Sequence, residues 1–275
     1  MIHLREVSLT RPFSKRQAYP FSVPSLQTLE TLSFSAPVTI FVGENGSGKS
    51  TLLEAVAMAA GSVTVGREDA HRDRSLDPVR PLAGALKLIW NQRTHRGFFL
   101  RAEDFFGYVQ RLREMRQTLQ EDLTRVDREY GGRSDYARTL AKSPAASSLR
   151  ALSDRYGADL EANSHGEGFL TLFQSRVVPG GLYLLDEPEA ALSPLRQLGL
   201  ISLLHDMVDQ NSQFLLATHS PILLAFPGAA LLDFDQSPPQ CVSYDELGHV
   251  QLYRAFMEDP GAYLHHLTGK SPGTE

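Results

Sequence analysis

The stretch Val38-Thr39-Ile40-Phe41-Val42-Gly43-Glu44-Asn45-Gly46-Ser47-Gly48-Lys49-Ser50 decides the fold. An apolar, β-branched run feeds directly into glycines at 43, 46 and 48 and then into Lys49 and Ser50, which reads as a strand, a phosphate-binding loop and the first residues of a helix. The glycines let the backbone turn tightly and point successive N–H groups inward, so that residues 43–48, with Glu44, Asn45 and Ser47 between the glycines, form a concave nest for phosphate oxygens. Lys49 adds a point charge between the β- and γ-phosphates, and Ser50 offers a hydroxyl ligand to Mg²⁺. Thr51 and the apolar residues Leu52, Leu53, Ala55, Val56 and Ala59 continue as a helix whose dipole is positive at the loop. These residue types in this order call for a nucleoside triphosphate.

A second signal lies downstream, in Leu182-Tyr183-Leu184-Leu185-Asp186-Glu187. Four apolar residues end in two carboxylates, and in a phosphate-loop fold ligands sit outside the carboxyl ends of the strands. Asp186 is therefore placed to hold Mg²⁺ and Glu187 to polarise an attacking water. Thr218-His219-Ser220 follows another apolar run at 213–217, where an imidazole can reach the γ-phosphate. Asn163-Ser164-His165-Gly166-Glu167 precedes a helical stretch at 168–176, so Ser164 and the N–H groups after it make a second anion-binding helix start.

Composition narrows the class. No apolar run approaches the roughly 20 residues of a bilayer span, since 214–226 is broken by Thr218, His219, Ser220 and Pro221. Asp and Glu outnumber Lys and Arg by 32 to 27, which excludes a surface that is basic throughout and confines any nucleic-acid contact to a local patch. The single cysteine, Cys241, makes no internal disulfide, and residues 1–6 carry no signal-peptide apolar core. A cytoplasmic location is the expectation.

The rest of the chain alternates in texture. Residues 2–9 and 38–42 read as strands separated by Pro12, Pro20, Pro24 and Pro37, 62–82 as an exposed charged loop, and 86–90 and 98–101 as further strands. From Phe105, apolar residues recur at three and four through Val109, Leu112, Met115, Leu119, Leu123, Val126 and Tyr130. That is an amphipathic helix about 40 Å long, stopped by Gly131-Gly132. Shorter helices at 134–142 and 147–160 complete a helical lobe, 104–162, inserted into an α/β core. After strands at 182–185, 213–217 and 231–234, residues 241–244 and 249–253 look like a hairpin about Gly248, with Cys241 a small core residue in it. Residues 269–275 read as a disordered tail. His265 and His266 read as helix-end residues and not as a metal site with His249.

The order of these motifs resembles the ABC-type ATPase superfamily over most of the chain outside the lobe: phosphate loop, signature at 163–167, metal strand, the loop Glu189-Ala190-Ala191-Leu192-Ser193, and a switch histidine at His219. The resemblance implies one nucleotide-binding domain over residues 1–268, an α/β P-loop fold with N-terminal antiparallel strands and the inserted lobe. The catalytic set it implies is Glu187, His219 and Lys49. ATP would lie on Gly43, Glu44, Asn45, Gly46, Ser47, Gly48, Lys49, Ser50 and Thr51, with Tyr19 (in preference to Phe13) stacked on adenine. Mg²⁺ would be held by Ser50, Asp186 and Glu103; Gln92 is the alternative to Glu103 as the residue that links the site to a partner lobe.

Two subunits would then close on two ATP molecules, each phosphate loop facing the partner's Ser164 and Gly166. The signature Asn-Ser-His-Gly-Glu, where transporter ATPases usually read Leu-Ser-Gly-Gly-Gln, and Ser193 in place of the usual aspartate, resemble the RecF and SMC side of the superfamily, often described only as AAA-family ATPases. A clamp or switch in DNA maintenance or defence is the leading expectation. A transporter ATPase docking on separate membrane subunits is the alternative. Arg93, Arg96, Arg101, Arg111, Arg113 and Arg116 give the start of the lobe a positive excess through which DNA or a protein partner could be met.

Overall fold

The computed structural model describes residues 1–10, 18–64, 74–156 and 165–268. Phe13, His71, Ser164 and the expected tail at 269–275 lie outside them. A three-stranded antiparallel sheet pairs β1 (Leu4–Leu9) with β2 (Thr31–Ser33) on one side and β4 (Leu86–Trp90) on the other. The larger sheet is built from β3 (Val38–Val42), β5 (Gly97–Arg101), β6 (Leu182–Asp186), β7 (Gln213–Ala217), β8 (Ala230–Asp233) and β9 (Gln240–Val242). Its order is β5-β6-β7-β3-β8-β9, parallel except for the antiparallel edge strand β9.

Strands β3, β6 and β7 are buried at every position. Parallel strands covered on both faces need no polar alternation, which is why they read as continuous apolar runs. One face, through Phe41, Phe99, Leu184 and Leu215, packs on the small sheet and on α2 (Lys49–Ala60), together with α1 (Pro24–Gln27) and α3 (Arg80–Ala83). The other face, through Ile40, Phe98, Tyr183 and Leu216, packs on α6 (His165–Arg176), α7 (Pro194–Asp209), α8 (Pro221–Leu224) and the start of α9 (Gly248–Glu258); α10 (Pro260–Thr268) follows. Phe98 meets Tyr183 edge-on at 5.0 Å and Phe173 of α6 at 5.5 Å.

The lobe is a pair of helices, α4 (Ala102–Glu129) and α5 (Asp135–Tyr156). Phe105, Tyr108 and Leu112 root α4 in the core, whereas farther out Leu119, Leu123 and Val126 are only half-buried and Met115 is exposed. This topology is the P-loop α/β architecture with N-terminal antiparallel strands and an inserted helical lobe that the motif order implies.

Four local expectations are corrected. Helix α5 runs on through Pro144 instead of breaking into two; an interior proline costs ~3 kcal/mol, which packing along α4 offsets. Residues 74–83 are not an exposed loop, because Leu76, Val79 and Leu82, three apart, turn one face onto α2 and are buried. The expected hairpin after Gly248 is helix α9: Ser243 and Glu246 form a capping box that ends the extended chain, while β9 pairs back on β8. Cys241 consequently lies exposed on the edge strand and is not a core residue.

The buried side chain of Gln213 ties β7 to the start of β1. Gln213 Oε1 accepts the N–H groups of His3 (2.8 Å) and Leu4 (2.7 Å), and its Nε2 donates to Leu4 O at 2.9 Å. Gln213→Leu would leave three buried backbone groups without partners. We expect a loss of about 2–4 kcal/mol in urea unfolding at unchanged m-value, and a loss under about 1 kcal/mol would show that the tie is dispensable.

Candidate functional site

Register brings the strand ends together. Arg101 pairs with Asp186, Asp186 with Ala217, and Ala217 with Phe41, so the loops after β5, β6, β7 and β3 open along one edge of the sheet. The loop after β3 is shaped by its glycines. Gly43 has φ 141° and Gly48 has φ 105°, a region closed to most side chains, and a Cβ would stand 2.9 Å from Asp235 Oδ1 at the first and 2.7 Å from Ser25 Oγ at the second. Gly48 is also the N-cap of α2, and no side chain caps that helix. Its first N–H groups are left for an anion. Ser47 Oγ is buried inside the loop with no hydrogen-bond partner among the described residues.

Lys49 is only 4% exposed, and its Nζ donates to Gly43 O (2.7 Å) and Glu44 O (2.9 Å). Burial lowers its pKa, against the opposing charges of Asp235, Glu187, Asp186 and Glu44. A buried ammonium resting on carbonyls gains by turning to phosphate oxygens. Tyr19 stands 51% exposed beside the helix start, its hydroxyl 3.3 Å from Thr51 Oγ1, and so offers a free aromatic face next to the loop.

The cation side joins β6 to α2. Ser50 Oγ donates to Asp186 Oδ1 at 2.8 Å. Burial pushes Asp186 up to about 7, opposed by the Ser50 hydrogen bond, with the charges of Glu54 and Glu187 adding to the rise and Arg101 resisting it. A hydroxyl beside a buried carboxylate short of positive charge is an oxygen donor set that fits Mg²⁺.

Glu187 and His219 stand at the ends of β6 and β7. Glu187 turns out of β6 with φ 48°, a left-handed conformation that costs a non-glycine residue about 1–2 kcal/mol, and its N–H donates to Ala217 O at 2.9 Å. Its Oε1 lies 4.0 Å from His219 Nε2, which has no hydrogen-bond partner among the described residues. A carboxylate and an imidazole thus stand close together at the strand ends.

Further residues shape the site. Glu189 Oε1 accepts the His219 N–H at 2.7 Å, and Ser220, which caps α8, donates to the buried Gln197. Asp235, just past β8, accepts the Glu44 N–H at 2.8 Å and so steadies the phosphate loop. Helix α9 brings His249 to a cavity of about 310 Å³ shared with Gly43, Glu44, His219 and Asp235. Burial, followed by the His219 charge, lowers the pKa of His249. Among the described residues no three histidine, cysteine or carboxylate side chains are grouped closely enough to hold a metal.

Two expectations about neighbouring residues change. Gln92 precedes β5, and its backbone accepts or donates at His3 near the opposite edge of the sheet, so it cannot reach the strand ends where Asp186 lies. Arg101 does not belong to an open basic patch, because it is buried against Asp104, Glu54 and Ser75. Arg96 donates to Pro179 O and Arg116 to Ser153 Oγ. Glu103 falls in the first turn of α4 and Gly166 in that of α6.

Comparison with known proteins gives two family matches. A family model described as "AAA domain" matches residues 22–88, and one described as "AAA domain, putative AbiEii toxin, Type IV TA system" matches residues 76–225. Among solved structures, the chain is similar to a nucleotide-free ATP-binding cassette from an ABC transporter at 17% identity (88% of this chain, 90% of that chain, TM-score 0.45). An Smc head domain with an extended coiled coil from Pyrococcus furiosus matches at 13% identity (94% and 99%, TM-score 0.45). A component of an ABC transporter complex from Clostridium perfringens also matches at 13% (98% and 100%, TM-score 0.44). No curated protein matches the sequence.

The raised pKa of Asp186 has a measurable consequence. A carboxyl whose folded pKa is about 7, above its unfolded value, stabilises the metal-free fold only while protonated, so stability falls as pH rises from about 4 to about 7 and then levels off. Asp186→Asn removes that dependence. Its gain in thermal stability without Mg²⁺ should be larger at pH 8 than at pH 5 by about 2 kcal/mol; an equal gain at both would contradict the assignment.

Proposed function

The chain belongs to the AAA-domain family of P-loop ATPases, whose model matches more than half of its length at residues 76–225, and on that footing we propose that it is a Mg²⁺-dependent, ABC-type ATPase that works as an ATP-driven dimeric clamp or switch. The observation that carries the reading is the convergence of two pairs on adjoining strand ends: Ser50 with Asp186 at 2.8 Å, and Glu187 with His219 at 4.0 Å. One pair suits a cation and the other a water and a γ-phosphate.

In this reading the nest at 43–48 and the α2 N-terminus bind the β-phosphate. Lys49 leaves the Gly43 and Glu44 carbonyls for the phosphate oxygens, and Tyr19 lies against adenine. Ser50 and Asp186, with Glu103, would hold Mg²⁺, which when bound neutralises charge on the β- and γ-phosphates. Glu187 accepts a proton from the attacking water, and its left-handed backbone keeps the carboxylate turned out of the strand. His219, whose backbone N–H is held by Glu189, donates to the γ-phosphate.

Ser164, which precedes α6 in the sequence, and Gly166 would face the nucleotide of a second subunit, so that ATP joins two copies and ADP, lacking the γ-phosphate, does not. The family description, with its toxin and Type IV system, supports the defence side of the reading. DNA or protein remains the proposed partner of the lobe, now without Arg101 as a contact.

Glu187→Gln should bind Mg²⁺-ATP but hydrolyse it about 10²–10⁴ times more slowly and accumulate as dimers in sedimentation, whereas Lys49→Ala should fail to bind. A Glu187→Gln protein that stays monomeric at saturating ATP would contradict the clamp.

A further inference from the structure

Arg101 ends β5 as the register partner of Asp186 and is 5% exposed. Its guanidinium joins three separate elements. Nε donates to Asp104 Oδ2 in the first turn of α4 (2.7 Å), Nη1 to Glu54 Oε1 in α2 (3.3 Å), and Nη2 to Ser75 Oγ in the turn Arg74–Val79 (2.8 Å). The ring of Phe99 lies 5.7 Å from its central carbon. Glu54 stands one helical turn beyond Ser50, and the charges of both Glu54 and Arg101 act on Asp186.

Stability alone explains such a junction poorly. A buried guanidinium loses several kcal/mol of hydration, and an apolar side chain of similar volume commonly packs as well or better. What the arrangement does provide is direction: a planar fork holds three acceptors at fixed angles, which an ammonium does not. Of the anchored elements, α2 carries Ser50 and α4 follows directly on β5, the sheet neighbour of the strand that ends in Asp186.

We propose that Arg101 is a positioning residue for the cation side of the nucleotide site: it neutralises Glu54 and pins α2 and the root of α4 to the end of β5, so that Ser50 and Asp186 keep ligand spacing. The inference rests on the reading that Mg²⁺-nucleotide occupies this edge, and goes beyond it by giving the lobe a mechanical route to the cation. Helix α4 leaves the core from the turn that Asp104 occupies, so a displacement of the lobe bears on Arg101 first.

The test is calorimetric titration of ADP with Mg²⁺ and with EDTA, using the full chain. In wild type, Mg²⁺ tightens binding. Arg101→Met should reduce that Mg²⁺-dependent gain roughly tenfold, about one charge-assisted interaction, with binding in EDTA unchanged, and Arg101→Lys should fall between. A folded Arg101→Met protein that keeps the wild-type gain, or loses affinity equally with Mg²⁺ and EDTA, would overturn the proposal. Should Arg101→Met not fold, Asp104→Asn decides: a gain reduced about threefold supports the junction, and an undiminished gain overturns it. Wild-type protein showing no Mg²⁺-dependent gain would instead overturn the nucleotide-site reading itself, a distinct result.

Discussion

One hydrogen bond holds the site in register: Ser50 Oγ to Asp186 Oδ1, across strand ends that are not neighbours in the sheet. Strand β7 lies between β3 and β6, so the contact is made only if both parallel pairings keep their alignment and α2 leaves the loop at the right angle. The cost is a carboxyl buried without enough positive charge around it. Arg101 supplies part of that charge, Lys49 is turned toward backbone carbonyls, and the remaining deficit is what a divalent cation and a polyphosphate would fill.

The constraint extends into the packing. Strands buried on both faces can be apolar throughout, which leaves their C-terminal ends as the places where polar residues emerge. Asp186, Glu187, His219 and Asp235 emerge there, each within a few residues of a strand end, and each is steadied by a partner from a neighbouring segment: Ser50, the Ala217 carbonyl, Glu189 and the Glu44 N–H. Gly43 and Gly48 let the phosphate loop approach Asp235 and Ser25 more closely than any side chain permits. The left-handed Glu187 is local strain that the surrounding pairing holds in place.

How far the sequence announces this depends on how local each feature is. The phosphate loop, the Asp186-Glu187 strand end and His219 are contiguous patterns whose meaning follows from a few neighbouring residues, and the structure brings them to one edge. The Arg101 junction, the Asp235 brace and the Gln213 tie join residues far apart in the chain, so no spacing rule points to them. Arg101 looks like a surface charge in a basic run until Glu54 and Asp104 are seen around it. Gln92 has suitable chemistry but lies before β5, at the end of the sheet away from Asp186. The stretch after Gly248 alternates like a strand over a few residues, but it is helix α9, entered after a short turn at Tyr244–Glu246 that Ser243 and Glu246 cap, and that helix carries His249 to the loop.

The account depends most directly on Ser50 and Asp186 holding a cation against nucleotide phosphates. Calorimetric binding of a non-hydrolysable ATP analogue to the wild-type protein and to Ser50→Ala, each with Mg²⁺ and with EDTA, measures it. The account predicts that Mg²⁺ tightens binding to wild type at least about tenfold and that Ser50→Ala loses most of that gain while binding unchanged in EDTA. Equal affinity with and without Mg²⁺ in the wild-type protein would contradict it.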